Sequence, residues 1–140
     1  MAFEGKRKIG SVLVIGAGIG GVQASLDLAD SGYHFMIDIN GNIYEGRDLR
    51  VRGAHTGGFN TGAVGVVLIG DFSGTKKPSD KQVKALKALT ASLSSSFGIR
   101  CLGQHRHFNA TDCPGGEETQ KIINDIQEVF NMGSYHCIGQ

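Results

Sequence analysis

Apolar and polar positions follow two periods along this chain. Residues Ser11 to Gly16 form a β-branched apolar run that stops at a glycine, which predicts a short buried strand; beyond it, Val22, Leu26 and Ala29 recur at helical spacing. Tyr33 to Asp38 reads as a second strand, Asn40 and Gly41 as a hairpin turn, and Asn42 to Arg47 as a third strand paired back on it. A glycine-rich loop, Arg52 to Thr61, leads into Ala63 to Asp71, whose unbroken apolar character predicts a central strand covered on both faces. Pro78 and Ser79 open a helix through Phe97, with Ser79 as cap, a stripe of Val83, Leu86, Leu89, Thr90 and Leu93, and Gly98 as its end. A short strand from Ile99 precedes a histidine- and cysteine-bearing loop, Gln104 to Gly115. The last helix runs from Glu117 to about Phe130 and turns Ile122, Ile123, Ile126, Val129 and Phe130 inward. A mixed β-sheet flanked by helices on both faces is an α/β fold.

Composition narrows this only a little. The 140 residues suit one domain, 1–140, with a core that needs neither disulfides nor a structural metal. A net charge of +1 supplies no general attraction to nucleic acid or an anionic membrane. The 22 glycines gather at Gly16–Gly21, Gly53–Gly62 and Gly115–Gly116, marking loops where backbone turns sharply or approaches something closely. Cys101, Cys113 and Cys137 are odd in number and widely spaced, so reduced thiols are expected, with Cys101 a packed strand residue. The basic start is followed by an apolar stretch interrupted by Gly16, Gly18, Gly20 and Gly21, which fits neither a signal peptide nor a membrane span; a cytoplasmic location is the default expectation. Oligomeric state stays open.

Three segments carry a resemblance. GYHFMIDINGNIYEGRD, then VRGAHTGGFNTGAVGVVLIGDF, then QHRHFNATDCPG resemble, in order and spacing, the N-acetylmuramoyl-L-alanine amidase and peptidoglycan-recognition family over about Tyr33–Gly115. The resemblance implies a groove for peptidoglycan or muropeptide and, in active members, hydrolysis of the lactyl amide with one zinc ion. His105 and Cys113 match two of the family's three zinc ligands. Tyr33 and Thr111 match residues that stabilise the tetrahedral intermediate. His55, Thr56, Phe59 and Asn60 match groove-lining positions, and Arg47 either pairs with a stem-peptide carboxylate or makes a surface salt bridge. The family's first histidine ligand has no counterpart, because Val12 to Gly16 stand in its place. A hydrolytic zinc needs three protein ligands and an open position for water. Among stand-ins His34 comes first, with His55, His107, His136 and Cys137 behind it. His107 stands where the family more often has an aspartate.

A second resemblance meets the first at Gly32 and Tyr33. RKIGSVLVIGAGIGGVQASLDLADSGY looks like the flavin-binding start of heterodisulfide reductase A-type oxidoreductases. Gly16, Gly18 and Gly21 follow a predicted strand and open a helix, and Asp38 ends the next strand near the expected ribose-binding position, which implies FAD or NAD in a nucleotide-binding alternative. A tight turn without ligand accounts for the glycines equally well, and Asp38 could simply start the hairpin. The two resemblances combine if residues 1–32 supply a Rossmann-like strand and helix to the first slots of an amidase-like sheet formed by residues 33–135. The expectation is a peptidoglycan-binding domain of the zinc amidase type, with enzymatic activity left open because the first zinc histidine is missing and a stand-in ligand would be required. A recombinant hybrid with no selected function is the other alternative.

Overall fold

The computed structural model describes residues 12–17, 32–54, 56–58 and 60–134. Five strands, β1 (Val12–Ala17), β2 (Phe35–Ile37), β3 (Ile43–Glu45), β4 (Ala63–Leu68) and β5 (Cys101–Gln104), form one sheet in the order β3-β2-β4-β1-β5. β1 is parallel to both β4 and β5, with Gly16 opposite Val67 and Ile15 opposite Gln104. β2 is parallel to β4 and antiparallel to β3. All six residues of β4 are buried, as its uninterrupted apolar run predicts for a central strand.

The period of two along the strands divides the sheet's residues between two faces. Leu13, Ile15, Phe35, Ile37, Val64, Val66, Leu68 and Leu102 pack with Leu86, Leu89 and Leu93 of α1 (Asp80–Phe97) and with Ile123 and Ile126 of α2 (Glu117–Val129). Each such aliphatic side chain contributes about 1.5–3 kcal/mol by leaving water. The intervening residues Val14, Met36 and Val67, with Tyr33 and Cys101, face the other way. Both described helices therefore sit on one face.

Local chemistry fixes the element ends. Ser79 Oγ accepts from Gln82 N at 3.0 Å while Gln82 Oε1 accepts from Ser79 N at 3.0 Å, a reciprocal cap on α1. Gln82 is buried, and its Nε2 also donates to the carbonyls of Ile37 and Ile69, tying the helix to the ends of β2 and β4. Gly98 closes α1 in the left-handed region at φ 65° and donates its N–H to Ser94 O.

The structure corrects several expectations. Gln82 rather than Val83 is the buried residue in the first turn of α1, because its amide has carbonyl partners there. Val129 is 68% exposed: the apolar spacing of α2 continues past the point where the helix leaves the core. Cys101 is disulfide-bonded and not a reduced thiol, whereas Cys113 is in no disulfide. The nucleotide-binding reading also lacks its geometry. A dinucleotide unit sets its first two strands side by side, but β4 lies between β1 and β2. Asp38 is committed to the hairpin, where its carboxylate accepts from Asn40 N, Asn42 N, Asn42 Nδ2 and Tyr44 Oη at 2.8–3.0 Å. Gly18 and Gly21 lie outside the described residues.

Candidate functional site

The face opposite the helices carries the candidate residues, and the register of β1 shows why. Leu13 and Ile15 point into the helix-covered core, so Gly16 falls on the other face. A Cβ built on Gly16 would stand 2.3 Å from Tyr33 Oη and 3.0 Å from its Cζ, so the phenol lies directly over the glycine backbone. Tyr33 is 8% exposed, and its ionisation is suppressed, first by burial and then by the negative charge of the Cys113 thiolate. Gly16, Tyr33 and Cys113 thus form one cluster.

β5 delivers the next residue. It ends at Gln104, and a single 3-10 turn, His105–His107, follows. His105 Nε2 lies 3.0 Å from Asn109 Oδ1; since that oxygen only accepts, Nε2 carries the proton and Nδ1 keeps its lone pair. His105 Nδ1 is buried and has no hydrogen-bond partner. The Asn109 amide donates in turn to Gly57 O at 3.2 Å and so ties His105 to the glycine-rich loop. Sequence reasoning missed Asn109. Its only signal is a place four residues after His105, which becomes a contact because the 3-10 turn brings the chain back on itself.

Cys113 is held by its backbone. Its N–H donates to Thr111 Oγ1 at 3.2 Å and its carbonyl accepts from Arg106 N at 3.0 Å. The Arg106 guanidinium donates to the carbonyls of Asp112 and Gly115, bracing both sides of Cys113. Beyond the thiol, a cavity of about 480 Å³ opens between the loop after β4 and this segment, with Phe72, Arg106, Asp112 and Pro114 in its walls.

The other candidates are distributed around this cluster. Thr56 is buried, and its N–H donates to Asn60 Oδ1 at 2.8 Å, so the two matched groove positions shape one turn. Arg47 donates from Nη1 to Arg52 O at 3.0 Å, and its backbone N–H donates to Tyr33 O. His55 and Phe59 lie outside the described residues, as do His136 and Cys137. His34 is buried with both ring nitrogens engaged: Nδ1 accepts from Gly65 N at 3.0 Å and Nε2 donates to Val51 O at 2.9 Å. Service as a stand-in ligand would break one of those bonds to the backbone. His107 Nδ1 likewise accepts from Gln104 N at 3.0 Å.

These residues fit only part of a zinc site. His105 has the tautomer and the orphaned nitrogen of a ligand, with Asn109 orienting the ring, and Cys113 contributes a sulfur that is in no disulfide. Two donors fall short of the three that a hydrolytic zinc requires. Among the described residues, no group of three or more His, Cys, Asp or Glu side chains could hold a metal ion.

Comparison with known proteins agrees with this geometry. The N-acetylmuramoyl-L-alanine amidase family profile matches residues 13–116, including β1. Peptidoglycan-recognition protein SC2 of Drosophila melanogaster is 37% identical over 110 residues, covering 76% of this chain and 57% of that protein. The chain thus spans little more than half the length of that curated relative. Among solved structures, N-acetylmuramoyl-L-alanine amidase LysC from Clostridium intestinale superposes with a TM-score of 0.78 at 25% identity, covering 90% of this chain and 88% of the other. A complex of the ectodomains of peptidoglycan recognition proteins LCa and LCx with tracheal cytotoxin gives a TM-score of 0.72 at 30% identity, covering 85% and 83%. The matches named above bear on the amidase resemblance and not on the flavoprotein one. A mixed sheet of this order, with a family match running from β1 to the loop after Cys113, places the chain in the N-acetylmuramoyl-L-alanine amidase family.

Proposed function

We propose that this chain binds peptidoglycan fragments, a muropeptide with its stem peptide, on the Tyr33 face of the sheet and does not hydrolyse them. The observation that carries the reading is an incomplete donor set in a chain of the amidase family: of Tyr33, His105, Thr111 and Cys113, only His105 and Cys113 are of the type that holds zinc, and the described residues offer no group of three that could. Hydrogen bonds link His105 through Asn109 to the glycine-rich loop that carries Thr56 and Asn60, and link Thr111 to Cys113. Relatives support the ligand class: tracheal cytotoxin, a monomeric diaminopimelic acid-type peptidoglycan, is bound by peptidoglycan recognition protein LE.

In this reading the Tyr33 and Thr111 hydroxyls donate to a carbonyl oxygen of the bound peptide. Asn60 lies beside the bound peptide and Thr56 holds its turn in place, with Thr56 N donating to Asn60 Oδ1. Arg47 receives a stem-peptide carboxylate through its planar guanidinium, part of which is already oriented by Arg52 O. The single-domain assignment belongs to the same reading. The Cys101 disulfide favours an oxidising compartment, where cell-wall material is met, over the cytoplasm.

Titration calorimetry with a monomeric muropeptide tests this. Binding by the wild type is expected, with Arg47→Ala weakening it about 10-fold, the scale of a charge-assisted hydrogen bond, and mass spectrometry finding the muropeptide intact after long incubation. No heat at millimolar peptide from folded protein would refute binding, and release of free stem peptide would refute the absence of hydrolysis.

A further inference from the structure

We infer that Cys101 and Cys137 form a disulfide that closes residues 101–137 into one covalent loop and clamps the chain after α2 against β5. The chain has three cysteines. Cys101 is disulfide-bonded, and Cys113 is in no disulfide. Within one chain the count leaves Cys137, which lies outside the described residues, as the partner. A sulfur from a second molecule is opposed by burial. Cys101 is 2% exposed and packs with Val14, Ala63 and Phe108, so β5 would have to open to admit it.

Reach supports the pairing. Gly133 lies beside Cys101 in a parallel bridge, where Leu102 N donates to Gly133 O at 3.0 Å and Gly133 N donates to Arg100 O at 2.7 Å. Four residues of chain span at most about 14 Å, so the step from Gly133 to Cys137 keeps the second sulfur near the first. A disulfide needs its Cα atoms about 4.4–6.8 Å apart, which is within that range. The loop so closed carries His105, Cys113 and α2, and closing it removes conformational freedom from the unfolded chain. Formation takes one hydrogen from each thiol, and a glutathione-type disulfide receives the two electrons and is reduced to thiols. The inference stands apart from muropeptide binding and touches it at one point. A Cys137 sulfur bonded to Cys101 is no longer a thiolate that could join His105 and Cys113 around zinc.

Peptide mapping without reductant tests it. Trypsin cleaves after Arg100, Arg106 and Lys121 and so puts each cysteine on its own peptide. With thiols blocked by iodoacetamide in denaturant, residues 101–106 are expected joined to residues 122–140, and residues 107–121 are expected to carry one alkyl group. An alkylated Cys101, or residues 101–106 joined to residues 107–121, would overturn the inference. So would a hybrid linked pair from an equal mixture of nitrogen-14 and nitrogen-15 protein, which would mean a bond between chains. Thermal unfolding tests the clamp: Cys137→Ser is expected to lower Tm by about 10 °C, the scale for opening a loop of this size. Reductant should lower the wild-type Tm by the same amount and leave the variant unchanged. Should Cys137→Ser fail to fold, the reductant series on the wild type is read in its place, and a Tm that reductant does not move would overturn the clamp. Muropeptide calorimetry on the wild type is independent of these outcomes, so failure here and failure of the binding reading are told apart.

Discussion

Asn109 holds His105 in one tautomer: its Oδ1 accepts from His105 Nε2 at 3.0 Å while its Nδ2 donates to Gly57 O at 3.2 Å. One amide therefore sets both the ring that presents a bare Nδ1 and the loop that carries Thr56 and Asn60. Asn109→Ala is expected to lower stability by about 1 kcal/mol, the scale of one partly buried hydrogen bond with a smaller share from the exposed one to Gly57 O. It should also let the His105 proton exchange between nitrogens. Nitrogen-15 spectra of the imidazole read this directly, with a single Nε2–H pattern in the wild type and an averaged one in the variant. An unchanged pattern would mean that something other than Asn109 selects the tautomer.

Much of this architecture was legible in the sequence because it is encoded locally. Asn40 and Gly41 mark the hairpin, Ser79 and Gly98 bracket α1, and the apolar run of β4 announces its central place. What escaped depends on tertiary contact. Gln82 looks like a surface residue until two strand-end carbonyls meet its amide, and Val129 keeps helical spacing after the helix has passed the sheet. The site was half legible. His105 and Cys113 stand in a recognisable motif, but the roles of Asn109 and Arg106 follow from how the loop folds back. Asp38 was ambiguous between a ribose contact and a turn, and the strand order decides it, since β4 separates β2 from β1. The absence of the family's first histidine from Val12–Gly16 was legible. The approach of Tyr33 to Gly16 was not, because it brings together β1 and the residues just before β2, which β4 separates in the sheet.

Asp38 predicts a pH dependence for the hairpin. Burial is the largest single influence and opposes its charged form, but the hydrogen bonds from Asn42, Tyr44 and Asn40 together outweigh it and hold its pKa below the usual carboxylate value. A carboxylate with a lowered folded pKa contributes stability that is present above its unfolded pKa, near 4, and lost as pH falls through the folded value. The group is largely exposed, so the contribution is small, about 1 kcal/mol or less after solvent screening. Urea unfolding of wild type and Asp38→Ala should differ by that amount at pH 7 and converge by about pH 2. A difference that stays constant between those pH values would show that the carboxylate charge plays no part in the turn.

Gly116 sets how closely the two walls of the cavity beside Cys113 can meet. Its φ of −74° is open to any residue, so backbone strain is not the constraint. Space is: an added Cβ would lie 2.2 Å from Gly74 O and 3.2 Å from Gly74 C, and both are backbone atoms that no side-chain rotation can move aside. The glycine's N–H donates to Phe72 O at 2.9 Å, and the loop after β4 cannot withdraw without losing that bond. Gly116→Ala is therefore expected to cost about 2 kcal/mol, within the range for forcing extra volume into a packed contact. Gly57→Ala is the matched control. Its Cβ would find only Asn109 Nδ2 at 3.8 Å, an ordinary contact, so its effect should remain within about 0.5 kcal/mol. Denaturant unfolding of the two variants against wild type measures both. Equal effects at the two positions would mean that the loops move apart freely, and that the cavity is not held at its present width by the close approach of Gly116 to Gly74.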